Sequence, residues 1–310
     1  MPRKMLRNTN GAPYVSHISL EEYADWYQDF AVITREEGIC VIRLHTNDGS
    51  AIISPGMHKA IPQILKYAGM DPDNEVIILT GTGDDLFAAM DAEALKTVAQ
   101  SLAEDPLKLS DQLVELWPDA LALANAVVFD VDVPTIGIMN GPTHTGLTQV
   151  FTYCDLTLMA DDAYLYDSHF NRNLAPGDGL FQSLQKFIGD KRANYYGYTG
   201  ANIDAKKALE WGMVNEVLPR EELLPRALEI AQGMMKNERH VRRMTHALMR
   251  QRVARHLVED LHFHVLSEGW GGTLSAINAA QRLKDGHTGP STFVDDRLRE
   301  SVEKSDQRKQ

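Results

Sequence analysis

The sequence predicts an α/β fold. Three observations carry it: apolar runs of the buried, parallel-sheet kind at 76–80 and 133–139, helical-period segments between such runs, and turn-forming residues at the junctions. At 310 residues the chain is long enough for one large core, or for a core with a smaller helical part. An apolar share of 44% and a charged share of 24% place it among ordinary soluble globular proteins.

Taken in order, residues 1–18 are polar and turn-rich and predict a loose arm, and 21–30 a short amphipathic helix, so the arm is drawn to residue 30. Residues 39–44 predict a strand, closed by an Asn47-Asp48-Gly49 turn. Met57, Ile61, Ile64 and Leu65 recur at helical spacing behind Pro55, which predicts a helix over 55–67. The strand at 76–80 follows. Gly81-Thr82-Gly83 after it lacks the third glycine of a dinucleotide loop. An apolar stripe predicts a long helix over 107–129, and then come the strand at 133–139, an Asn140-Gly141-Pro142 turn and a strand at 155–160. Beyond Asp204 the pattern is helical except at 214–218, with amphipathic stretches at 223–235 and 241–266. The domain expectation is an arm at 1–30, a core at 31–218, a helical oligomerisation region at 219–284 and a polar tail at 285–310.

Composition also excludes functions. A net charge of −12 with no Lys/Arg block argues against nucleic acid as a partner. Cys40 and Cys154 both lie in apolar runs, the usage of buried thiols in a reducing compartment. No apolar run approaches the roughly 20 residues that span a bilayer. The basic N-terminus lacks the apolar stretch of a secretory signal, so a cytoplasmic protein with no membrane partner is expected. His262 and His264, two apart on a predicted helix, face different ways and do not make a metal pair. No Gly-x-Ser-x-Gly elbow, P-loop, Cys-x-x-Cys or His-Glu-x-x-His occurs.

The stretch with most chemistry is 163–179. A short apolar strand at 163–166 runs into a polar loop carrying His169, and Pro176-Gly177-Asp178-Gly179 launches a helix marked by Leu180, Leu184, Phe187 and Ile188. A histidine with a carboxylate on its second nitrogen is a preset base. Taken alone, these residues favour the plainer reading, a solvated loop histidine and an Asp178 that caps a helix. Two strand ends also run into small-residue loops, 87–91 and 141–146, which can aim backbone N–H groups at one point and so stabilise an oxyanion. Tight turns chosen for packing look the same.

Leu79-Thr80-Gly81, the Phe87-Ala88-Ala89…Asp91 loop, Asn140-Gly141, Asp155-Leu156 and Pro176-Gly177-Asp178-Gly179, in that order, resemble the crotonase (enoyl-CoA hydratase/isomerase) superfamily over roughly residues 35–270. The stretches LTGTGDDLFAAMD, SHFNRNLAPGDG and YYGYTGANIDAKKALEWGMVNEVLPREELLPRA, with the later EDL…SE, resemble its 6-oxocamphor hydrolase and alicyclic β-diketone hydrolase branch. The resemblance implies a crotonase (ClpP/crotonase-like) fold, a spiral of β-β-α repeats with a C-terminal helical trimerisation domain. It implies an oxyanion hole from the backbone N–H groups of Met90 and Gly146. Gln149 and His169 stand where hydratases carry two glutamates, which argues against ordinary hydratase chemistry.

By the same resemblance, His169, Asp178 and Glu268 match the histidine, aspartate and late-helix glutamate of the diketone hydrolases. The branch's ketone-binding histidine is replaced by Gly146, with His144 the nearest imidazole, and its early pocket tryptophan by Ile53. The implied function is retro-Claisen hydrolysis of a cyclic 1,3-diketone by a homo-trimer or hexamer, with no metal or organic cofactor. The alternative is an enoyl-CoA hydratase/isomerase or acyl-CoA thioester hydrolase of the same fold, with a CoA thioester as substrate; a non-catalytic scaffold is a third.

Overall fold

The computed structural model describes residues 17–285, apart from 95–96, 98–99, 101–104, 106–107, 145–146, 168 and 173. Six strands form the main sheet in the order β1-β2-β4-β6-β7-β10: β1 (Ala31–Glu36), β2 (Ile39–Leu44), β4 (Val76–Gly81), β6 (Thr135–Met139), β7 (Leu156–Ala160) and β10 (Glu216–Leu218). Only β1 and β2 pair antiparallel; the remaining neighbours are parallel. The buried apolar runs of the sequence become the centre of this sheet, and every residue of β4 and β6 is buried. A parallel pair, β3 (Ala51–Ile53) with β5 (Phe87–Met90), and an antiparallel pair, β8 (Tyr164–Leu165) with β9 (Ile203–Asp204), complete the strands.

Helix α1 (Leu20–Trp26) is capped by Ser19 and sets Tyr23 wholly inside the core, so this part of the expected arm is packed. Helix α2 (Pro55–Met70) starts where Ser54 accepts from the Met57 N–H at 3.0 Å, and runs three residues past its predicted end. Helix α3 (Lys108–Asn125) stops short of its prediction, and 126–130 form a wider π-type turn instead. There Gly69 of α2 lies against the Asp130 carbonyl, where a Cβ would come within 2.1 Å of the oxygen.

Helices α4 (Gln149–Thr152), α5 (Leu180–Ile188), α6 (Asp190–Thr199), α7 (Ala205–Glu210) and α8 (Arg220–Met235) follow. The last helix, α9 (Arg239–Lys284), is continuous over 46 residues, although periodicity marked only 241–266 of it. Among the described residues no helix is long and apolar enough to cross a membrane. The expected tail beyond residue 285 lies outside the described residues.

The loops after β4 and β6 are tied together. Asn140 accepts from the Gly81 N–H at 3.0 Å and donates to the Gly83 carbonyl at 3.0 Å. Beyond it the chain runs beside β5: the Leu86 N–H reaches the Pro142 carbonyl at 2.9 Å and the His144 N–H the Phe87 carbonyl at 3.0 Å. Replacing Asn140 by Ala deletes both clamp bonds. It is expected to cost about 1–2 kcal/mol, seen as a lower urea midpoint at unchanged slope.

Candidate active site

His169 is held by the residue two before it. Asp167 turns back on the chain so that one oxygen, Oδ1, accepts both the His169 backbone N–H at 2.9 Å and the ring Nδ1 at 2.7 Å. Both residues are buried. The carboxylate therefore fixes Nδ1 as the donor and leaves Nε2 as the reactive nitrogen. This corrects the expectation that Asp178 is the carboxylate that sets the tautomer. Asp178 faces the other side of the ring, its Oδ2 at 3.8 Å from Nε2. Asp167 carried no signal of its own, being one polar residue among several in a loop.

Asp178 owes its place to the turn around it. Its Oδ1 accepts from the Leu180 N–H at 3.0 Å, and its carbonyl accepts from the buried Gln149 side chain at 3.0 Å. Gly179 has φ +98°, which favours glycine. Gly177 allows a closer approach still: a Cβ there would lie 2.0 Å from the His264 carbonyl of α9 and 2.6 Å from Glu268 Cβ. This backbone contact brings Glu268 to the site, with Oε1 at 3.5 Å from His169 Nε2.

Thus His169, Asp178 and Glu268 are brought together, their donor atoms within 4.8 Å of one another. One imidazole and two carboxylates at that spacing could hold a divalent cation, or surround a water. Burial opposes protonation of His169, but Asp178, Asp167 and Glu268 overcome it and hold its pKa well above the ordinary value. Burial, with the charge of Glu268, pushes Asp178 up to about 6 against the pull of His169. Asp167 stays below the usual carboxylate range: burial would raise it, but the charge and hydrogen bonds of His169 prevail.

Other expected site residues lie as follows. Met90 ends β5 opposite Ile53 of β3, and Ile53 is buried. Gly146 lies outside the described residues, between the described His144 and Leu147; Leu147 is buried at φ +70°, a strained conformation for a bulky side chain. His144 is held at the surface, between Asp85 at 3.2 Å and the Tyr164 hydroxyl at 3.1 Å. Gln149 is wholly buried with its Oε1 unpartnered. Sequence reasoning missed His58 on α2, whose Nδ1 is buried without a hydrogen bond; burial lowers its pKa while the charge of Glu268 raises it. A cavity of about 240 Å³ borders the turn at Ala175 and Pro176, walled by Phe170, Phe181, Tyr198 and Phe263, and none of the three clustered acid–base groups lines it.

The family model of enoyl-CoA hydratase/isomerase matches residues 34–267. The chain belongs to that family. Among solved structures it is similar to a β-diketone hydrolase from the cyanobacterium Anabaena sp. PCC 7120, bound to (S)-3-oxocyclohexyl acetic acid. That likeness has a TM-score of 0.73 and 28% identity, covering 81% of this chain and 97% of the other. An enoyl-CoA hydratase/isomerase from Mycobacterium paratuberculosis, at TM-score 0.72 and 19% identity over 82% of this chain and 98% of its own, shares the fold. Among curated proteins the chain is 28% identical to a hydroxycinnamoyl-CoA hydratase-lyase of Pseudomonas fluorescens, over 70% of this chain and 77% of that one. The crotonase fold expected from the sequence is the fold of this family.

The buried acid makes a testable stability statement. Asp178 titrates near 6 when folded and near 3.9 when unfolded. Its ionisation therefore works against folding as pH rises from about 4 through 6. Asp178→Asn should match the wild type in stability near pH 4 and exceed it by about 2 kcal/mol at pH 8. Urea unfolding at the two pH values measures the difference.

Proposed function

We propose that the protein is a C–C bond hydrolase that cleaves a cyclic 1,3-diketone by a retro-Claisen route. The observation that carries this reading is the aim of His169: Nδ1 is bonded to Asp167, and Nε2 faces two carboxylates, Asp178 at 3.8 Å and Glu268 at 3.5 Å. The likeness to the Anabaena β-diketone hydrolase supports it. So does Gln149, an amide that cannot serve as the carboxylate base of a hydratase.

In this reading His169 takes a proton from water, and the hydroxide adds to one carbonyl carbon. The carbonyl oxygen becomes an alkoxide, received by the backbone N–H groups of Met90 and Gly146; one such donor is typically worth about 3 kcal/mol. Collapse of the adduct re-forms the C=O bond. The electrons of the C–C bond pass to the carbon between the carbonyls, where the second ketone spreads them as an enolate. No metal or organic cofactor is required, because the substrate supplies its own electron sink. The crotonase relatives named for CoA thioesters support a second reading, hydration or hydrolysis of an acyl-CoA.

Turnover of a panel of cyclic 1,3-diketones beside crotonyl-CoA separates the two. Ring-opened keto acids from the diketones, with crotonyl-CoA untouched, are expected; hydration of crotonyl-CoA alone overturns the diketone reading. The protein is further proposed to work as a homo-trimer or a hexamer, since α9 exposes Met244, Leu248, Phe263, Leu266 and Trp270. Light scattering at micromolar concentration should return three or six times 34.6 kDa, and a monomer or dimer would refute the assembly.

A further inference from the structure

Three carboxylates share one imidazole, and no lysine or arginine joins them. Among the described residues, His169 is the only basic group within ion-pair distance of Asp167, Asp178 or Glu268. Asp167 and Asp178 are both more than nine-tenths buried. Buried acids are ordinarily matched by a basic side chain or by a metal ion. Here a single ring stands against three of them.

The geometry turns three polar atoms toward one point. Asp167 Oδ1 takes the ring Nδ1 at 2.7 Å, which leaves the lone pair of Nε2 on the far side of the ring. Asp178 gives Oδ1 to the Leu180 N–H, while its Oδ2 accepts no hydrogen bond among the described residues and lies 3.8 Å from Nε2. Glu268 Oε1 arrives from α9, 3.5 Å from the same nitrogen.

We propose that His169 Nε2, Asp178 Oδ2 and Glu268 Oε1 form a binding site for a zinc-class divalent cation, with Asp167 holding the ligand ring from behind. Around a four-coordinate zinc, with bonds of about 2.0–2.2 Å, ligand atoms stand about 3.3–3.5 Å apart. Two of the three spacings, 3.5 and 3.8 Å, already lie at or near that range. The third, within 4.8 Å, closes by a turn of Glu268, whose side chain is the most exposed of the three at 27%.

The donor set selects the ion. An imidazole nitrogen suits zinc, cobalt or nickel, whereas magnesium and calcium take oxygen ligands in larger number. Asp167 has the place that a second carboxylate takes behind a metal-bound histidine, where it fixes the tautomer and raises the basicity of the free nitrogen. The site stands whether or not the protein cleaves diketones. Its consequence for turnover rests on that reading: Nε2 has one lone pair, so a bound cation removes the base, and the metal is an antagonist of the reaction.

The test adds Zn²⁺, Co²⁺ or Mg²⁺ to chelator-stripped protein and follows binding by titration calorimetry. One zinc ion per chain is expected, with Co²⁺ giving the visible absorption of a low-coordinate site and Mg²⁺ binding far more weakly. Asp167→Asn should weaken zinc by about 10–100-fold, and Asp178→Asn and Glu268→Gln by more. His144→Ala should leave binding unchanged, which separates the site from the surface pair of His144 and Asp85. In the wild type, zinc should move the nitrogen NMR signal of His169 Nε2 while Nδ1 keeps its proton.

Absence of zinc binding, or binding that survives both Asp178→Asn and Glu268→Gln or is lost in His144→Ala, overturns the site. So does an Nε2 signal that zinc leaves in place, a result that needs no variant to fold. Magnesium binding as tightly as zinc overturns the choice of ion. Zinc should suppress diketone cleavage in step with occupancy and a chelator restore it; turnover that rises with zinc overturns the antagonism. A wild type that binds zinc at Nε2 but cleaves no diketone overturns only the functional reading and leaves the metal site standing.

Discussion

The site depends on one close approach. At Gly177 the turn after His169 meets the backbone of α9, and a single methyl group there would overlap the His264 carbonyl. Because the two chains touch main chain to main chain, Glu268 arrives within reach of a histidine launched from a different part of the fold. Around that contact the Asp178 carboxylate is pinned by Leu180, and its carbonyl by Gln149. A charged group thereby sits in a nearly dry place, where it shifts the titration of its neighbours far more than it could in water.

Much of the fold was legible because its central strands are buried on both faces. Strands 76–81 and 135–139 admit no polar alternation, so a continuous apolar run announces them. Pro176-Gly177-Asp178-Gly179 was legible for the opposite reason, as residues chosen for backbone shape. Of the two readings of Asp178, the one at the helix start stands, since one oxygen accepts from the Leu180 N–H, while the other faces the ring at 3.8 Å and leaves the tautomer to Asp167. The length of α9 was not legible, because Gly269, Gly271 and Gly272 interrupt its pattern while the helix runs on through them.

Asp167 shows where pattern reasoning stops. Nothing in Tyr166-Asp167-Ser168-His169 distinguishes a carboxylate that wraps onto the ring from one that faces solvent. The distinction is left to tertiary packing, because a strand as short as Tyr164–Leu165 does not fix the chain that follows it. His58 is hidden in another way: it lies within an apolar-striped helix, and its strongest electrostatic neighbour, Glu268, arrives from the far end of the chain. The turn at Asn140 and the loop after β4 meet through the Asn140 clamp on Gly81 and Gly83, a contact between distant segments that no local pattern announces.

Helix α9 is also a lever. Its first turns are moored to the rest of the fold by Arg242 on Glu75, His246 on Asp155 and Arg250 on the Val131 carbonyl. Glu268 lies about 33 Å farther along at 1.5 Å per residue. A tilt of one degree at the mooring displaces a rigid rod by about 0.6 Å at that distance. Substitutions at Glu75 or Asp155, residues with no contact to the chemistry, therefore reach His169 only through a rod that Gln182 at His256 and Gly177 at His264 hold a second time, and those two contacts set how much of the tilt arrives.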